Sequence, residues 1–352
     1  FPPVGMEMRT APQEQQQGPR GPRFGRMLRS FLPRVARAEE IPSSAAAPEM
    51  GATEGLPPVS EEPQAVQFEM FSREWQQVAM QDNWDGFRIE AANKVTDHVQ
   101  ASHALFLGTQ LRECGYIYQF GPSFQSTDGR SMLVARAGLD GGVNGRFSQK
   151  LGSSWEAKAS SNSHLKDPHR NMHEGSMEYT GSNFSLATKL AWQGAFLAGG
   201  ALTGRILPSL QIGGDLTCVA VNGITAISQV GLRYAEGKDV FTAALSRTPD
   251  PRSPVGAKIH ELKMQYVRRV TERLSLATEY KYSHPDKESG LQFAYEYAFR
   301  QARVQGLIDT DCKVSCCVSD FTGFGFSGMI DYAKGDYKFG VVMHVLPQPE
   351  PG

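Results

Sequence analysis

Three groups of residues in this sequence have the types and spacing that chemistry could use. Gly323, Gly325 and Gly328 spell G-x-G-x-x-G, the letters of a dinucleotide-phosphate turn. His164, His169 and His173 crowd one polar stretch, as imidazole ligands of a metal would, and five cysteines stand at 114, 218, 312, 316 and 317. Context argues against each. A phosphate turn presents its anion to the N-terminus of a following helix, whereas Met329-Ile330-Asp331-Tyr332 goes on alternating apolar and polar. The histidines have no second ligand group or helical spacing to order them, so SNSHLKDPHRNMH reads as a wet loop. The cysteines form no C-x-x-C pair, and their odd number gives no disulfide framework. With no nucleophile elbow, phosphate loop or metalloprotease helix either, an enzyme, a cofactor and a metal site are not expected.

What remains is a set of charges recurring on alternate residues. Asp140, Glu156, Glu174, Glu178, Asp215, Glu261, Glu279, Glu296, Asp309 and Asp331 are interleaved with Arg136, Lys158, Lys189, Lys263, Lys281, Arg300 and Lys338. Most would serve as ordinary cross-strand ion pairs in a hydrated interior. As a set they form a mixed-charge wall with an acidic excess, able to hold cationic polypeptides weakly and at many sites, which is what conduction requires.

The elements that would position these charges follow from a period of two that runs from Gly86 to Val345. Leu274, Leu276, Thr278, Tyr280 and Tyr282 alternate with Ser275, Ala277, Glu279, Lys281 and Ser283, and Leu291 to Phe299 repeats the device after a turn at His284-Pro285-Asp286-Lys287. Marking every such run predicts nineteen strands, from 87–96 to 336–345, among them 131–140 and 289–300. About 14 residues per strand plus turn suits the roughly 9 to 11 that a tilted strand needs to cross a bilayer. All seven prolines between Val66 and Val345 fall in or beside the predicted turns, where no ladder hydrogen bond is lost. No run of about 18 apolar residues occurs, since the best candidate, Ala195 to Val221, is interrupted by Arg205, Pro208 and Asp215. A soluble nineteen-stranded sheet would need a second layer to cover its apolar face. A transmembrane β-barrel does not, because lipid meets that face and water the other.

Ahead of the barrel, residues 1–63 carry most of the 21 prolines and few large apolar side chains, the composition of a disordered arm. Six arginines between Arg20 and Arg37, without an acid, read as a solvated linker, with a targeting or anion-binding arm as the alternative. From 64 to 83 the period becomes helical: Val66, Phe68, Phe71, Trp75, Val78 and Ala79 predict an amphipathic helix of about five turns. Residues 87–345 form the barrel and 346–352 a short C-terminal tail. The chain's 36 basic and 37 acidic residues nearly cancel, which gives no support to a nucleic-acid partner.

HEGSMEYTGSNFSLATKL, GGALTGRILPSLQIGGDLT, YVRRVTERLSLATEYKYS followed by LQFAYEYAF, and GMIDYAKGDYKFGVVMHV together resemble the pore-forming subunit of the translocase of the outer mitochondrial membrane, within the mitochondrial porin superfamily. The resemblance covers roughly residues 64 to 345. It implies a nineteen-stranded, all-β barrel in the mitochondrial outer membrane that passes unfolded precursors with cationic presequences from cytosol to intermembrane space. It also implies receptor and small single-span helical subunits as partners, a homodimer or higher assembly, and a helix inside the pore, for which Phe68, Phe71, Trp75 and Val78 supply the apolar stripe. An odd strand number makes the first and last strands parallel, so termini that share a compartment require residues 1–83 to thread back through the lumen. A metabolite porin of the voltage-dependent anion channel type and a non-conducting scaffold barrel are the alternatives.

Overall fold

The computed structural model describes residues 64–81, 83–108, 115–220, 224–250 and 258–345. The Arg-rich arm, Cys114 and the C-terminal tail lie outside the described residues. Between 86 and 345 the chain forms nineteen strands: β1 Gly86–Thr96, β2 Val99–Leu107, β3 Tyr116–Gln125, β4 Ser131–Gly138, β5 Gly142–Lys150, β6 Trp155–His164, β7 Met172–Thr180, β8 Phe184–Trp192, β9 Phe196–Leu207 and β10 Leu210–Ala220. The second half continues with β11 Ile224–Glu236, β12 Asp239–Pro249, β13 Lys258–Arg269, β14 Leu274–His284, β15 Glu288–Ala298, β16 Ala302–Asp309, β17 Lys313–Asp320, β18 Phe324–Asp331 and β19 Asp336–Val345.

Each strand pairs antiparallel with its neighbours in sequence. The sheet closes where β1 meets β19 in parallel, Gly86 opposite Gly340 through Ala91 opposite Val345. Nineteen strands and closure are as the alternation predicts, and the apolar phase turns outward. Leu133, Phe147, Leu190, Leu202, Ile212, Leu216, Val230, Leu245, Phe293, Phe324 and Phe326 are all exposed on that face, where lipid replaces a second protein layer. Gly325, between the two phenylalanines, lies on the inward phase. No helix among the described residues is long and apolar enough to span a membrane.

The N-terminal helical segment is shorter than its periodicity predicts. A 3₁₀ turn, Phe68–Ser72, leads into α1, Arg73–Ala79, and residues on either side are extended. The barrel wall competes for the backbone there: the Ala65 N–H donates to the Gly181 carbonyl at 2.9 Å and the Val66 N–H to Gln211 Oε1 at 3.0 Å. The chain stays extended there, Gln67 having φ −65° and ψ 148°, and the first helical turn begins only at Phe68. Gly181 lies in the β7–β8 turn, on the rim where β19 ends, whereas β1 begins at the other rim. Segment 64–85 therefore crosses the lumen from one rim to the other.

Candidate pore

Phe68 and Phe71 bury against Val66, Ala187 and Ala201, while Val78 and Ala79 bury against Ala235, Val240, Val267, Ala277 and Ala294, with Trp75 packed alongside. The wall under the segment carries small residues because a ring must fit there. A Cβ at Gly213 would stand 2.9 Å from Phe68 Cδ2, and one at Gly231 3.2 Å from Phe68 Cε2. Contacts of the segment fall on β9–β11 and β13–β16.

Polar side chains lock it in place. Arg233, 1% exposed, forms an ion pair with Glu74, 4% exposed, at 2.6 Å. Lys189 pairs with Glu69, the Thr242 hydroxyl donates to the Phe71 carbonyl at 3.1 Å, and Arg205 donates to the Gln64 carbonyl at 2.8 Å. At the far end Gln305 and Arg303 both donate to the Gln77 carbonyl at 2.8 Å, and Ser327 donates to the Trp84 carbonyl at 3.0 Å.

These contacts identify the inward phase of each strand. It includes Arg136, Glu156, Lys158, Glu174, Glu178, Lys189, Asp215, Glu261, Lys263, Glu279, Lys281, Glu296, Asp309, Asp331 and Lys338. Two expected wall residues lie elsewhere, because their strands end sooner than predicted. Asp140 sits in the β4–β5 turn, where its carboxylate accepts from the Gly142 N–H at 3.0 Å, and Arg300 is exposed in the β15–β16 turn.

Several inward acids are already engaged. Glu279 is fully buried beneath Lys263 at 3.3 Å and Lys281 at 2.6 Å, with Gln265 donating to it as well. Lys263 and Lys281 stand directly opposite each other, so Glu279 offsets a like-charge pair. Lys263 also sits 5.7 Å over the Trp75 ring. Glu178 binds Lys158 at 2.7 Å and accepts from Gln67 at 2.8 Å. Asp331 accepts from the Lys334 N–H, shaping the β18–β19 turn.

The same alternation places residues on the inward phase that had not been singled out: Arg88, Glu90, Arg146, Arg205, Arg233 and Arg303. Arg146 was legible in GVNGRFSQK, where Val143, Gly145 and Phe147 mark the outward phase. With these arginines included, the acidic excess expected from the sequence disappears and the inner wall is close to charge balance. Glu90 pairs with Arg88 on its own strand and, across the barrel seam, with His344 at 3.2 Å. The histidines 164, 169 and 173 do not converge. His173 bonds Ser161 on the outward face, His164 lies on the inward phase, and His169 is in the loop between them. Among the described residues no group of three His, Cys, Asp or Glu could hold a metal ion.

A closed barrel of odd strand count with a segment through its lumen is a narrow architecture, and the sequence comparison agrees with it. The eukaryotic porin family model matches residues 64–340. This chain belongs to the eukaryotic porin family. Within that family, the chain is 25% identical over 295 residues to a probable mitochondrial import receptor subunit, TOM40-2, of Arabidopsis thaliana. The match covers 79% of this chain and 89% of the relative.

Proposed function

We propose that this porin is the protein-conducting channel of the mitochondrial outer membrane, passing unfolded precursor polypeptides from the cytosol to the intermembrane space. The carrying observation is the likeness to an import subunit over 79% of this chain and 89% of the relative. The geometry supports the reading in a second way. Segment 64–85 is held against one side of the lumen by buried ion pairs and hydrogen bonds, so the polar remainder of the wall is a lining and not a closed core. Charges of both signs at several depths give a passing chain many weak, exchangeable contacts, the condition for conduction. Cationic presequences would meet Glu174, Asp215 and Glu261, whereas Glu279 is held by Lys263 and Lys281 and Glu296 by Arg303.

On this reading the partners are precursor polypeptides, receptor subunits, small single-span helical subunits and a second copy of the chain, all within the outer membrane. A metabolite porin is the competing reading, favoured by the family as a whole and by the balanced wall. Planar-bilayer recording separates them. A protein-conducting channel is blocked reversibly by a cationic presequence peptide added at one face, whereas current indifferent to that peptide and selective for small anions would establish the metabolite porin.

A further inference from the structure

At the rim where β1 begins, the outward phase of many strands ends in exposed aromatic or aliphatic side chains, among them Tyr116, Trp192, Phe196, Ile308 and Tyr337. Strands β12, β13 and β14 break that collar. On their outward phase Arg247 stands opposite His260 and His260 opposite His284, with Ser228 of β11 beside Arg247. Lys258, two residues nearer the rim on β13, shares the phase and is exposed, as are Arg247 and His284. No aspartate or glutamate lies in this row or in the outward row beneath it.

The row beneath is apolar: Val230, Leu245, Leu262 and Tyr282 stand side by side in register. On the outward phase of these strands charge returns only at the far rim, with Glu236, Asp239 and Arg268. His260 and Arg268 are eight residues apart on β13, about 26 Å of strand and about 20 Å of depth at the tilt of a membrane barrel. Both charged rows therefore sit at the edges of the apolar band, level with lipid headgroups. Their partners differ. At the far rim Arg268 lies 3.7 Å from Asp239, which also accepts from the Tyr266 hydroxyl at 2.9 Å. Arg247, His260 and His284 make no ion pair or side-chain hydrogen bond among the described residues.

The geometry points to a site for one anionic phospholipid on the outer surface of β12–β14, its phosphate held by Arg247, His260 and His284 and its acyl chains lying over Leu245, Leu262 and Tyr282. Adjacent strands stand about 4.8 Å apart, so the three side chains span about 10 Å, within reach of one phosphodiester. A guanidinium meets two phosphate oxygens at once, and an imidazole has an N–H to donate whether or not it is charged. A soluble acidic protein would satisfy the cations and leave the apolar row below them bare. A ligand with an anionic head and hydrocarbon tails covers both. The site belongs to the outer surface and does not depend on what passes through the pore.

The test reconstitutes the whole chain in vesicles of equal phosphatidylcholine and phosphatidylglycerol, releases it in mild detergent and counts the retained lipid by native mass spectrometry. Phosphatidylglycerol should be retained preferentially, and R247Q/H260Q/H284Q should lower that preference at least about tenfold with β-sheet circular dichroism unchanged. R268Q at the far rim and H173Q, the outward histidine of β7, should leave it intact. Equal retention of the two lipids by the parent overturns the site without recourse to a variant. So does an undiminished preference in the folded triple variant, or an equal loss in R268Q, which would mean bulk charge and not this row. Displacement of the lipid by inorganic phosphate, but not by chloride of the same ionic strength, would make the row a free-anion site. Displacement by a soluble glutamate-rich peptide would make it a protein-docking face, and either result removes the lipid assignment.

Discussion

The two sides of the lumen solve opposite problems. From β7 to β16 the inward phase receives segment 64–85, and the wall there is made of small residues, Ala187, Ala201, Gly213, Gly231, Ala277 and Ala294, with charges whose partners come from the segment or from neighbouring strands. From β2 to β5 the same phase touches the segment at Trp84, which packs on Phe106 and donates to the Leu107 carbonyl, and it carries Gln100, Gln119, Asn144 and Ser148. One alternating pattern therefore builds a protein interior on one side and a solvent-facing channel wall on the other. What decides between them is side-chain volume and the sign of the facing charge, not the strand period.

That contrast can be broken most severely at Arg233. Arg233→Ala strips buried Glu74 of its wall partner and leaves it Arg73 of its own helix, at 2.9 Å, a change that costs up to about 3 kcal/mol. The segment should detach, and trypsin should cut after the partly exposed Arg73 much faster in detergent-held barrel. Glu74→Leu combined with Arg233→Met should restore resistance; unchanged cleavage in the single variant would mean that apolar contacts alone hold the segment.

Gly213→Leu attacks the same side sterically. Its side chain competes with Phe68 for one volume, at about 1–3 kcal/mol, and the same tryptic assay should show intermediate cleavage. The corresponding change at Gly145, which faces outward with open space around it, should do nothing. Glu279→Gln should cost about 1–3 kcal/mol by leaving Lys263 and Lys281 opposed, lowering the urea midpoint of barrel unfolding while moving the reversal potential little. Smallest in stability is Glu174→Gln, within about 0.5 kcal/mol, whose effect should instead appear as a shift of reversal potential towards anions. Reversal of that pattern, with Glu279 controlling selectivity and Glu174 stability, would invert the division between acids engaged in the wall and acids open to the lumen.

Strand count, strand phase and closure were legible because a one-residue slip would turn every side chain to the wrong face, so the pattern is heavily constrained. Strand ends were not. Asp140 and Arg300 continue the alternation by one or two residues past the last ladder pair, and local sequence holds no record of where the neighbouring strand stops. The length of the lumenal helix was illegible for a related reason. Residues 64–67 have the right periodicity, but their backbone partners are Gly181 and Gln211, more than a hundred residues away. The arginines on the polar phase were there to be read.

The parallel seam between β1 and β19 has a consequence for biogenesis. Every other pairing in the sheet joins strands adjacent in the chain and can form as soon as both exist, but Gly86–Ala91 must wait for Gly340–Val345, the last strand made. Until then both edges expose unpaired backbone groups that lipid cannot satisfy. Insertion into the membrane has to be deferred until synthesis is complete, and a ribosome stalled before residue 336 yields a product with no stable home in the bilayer.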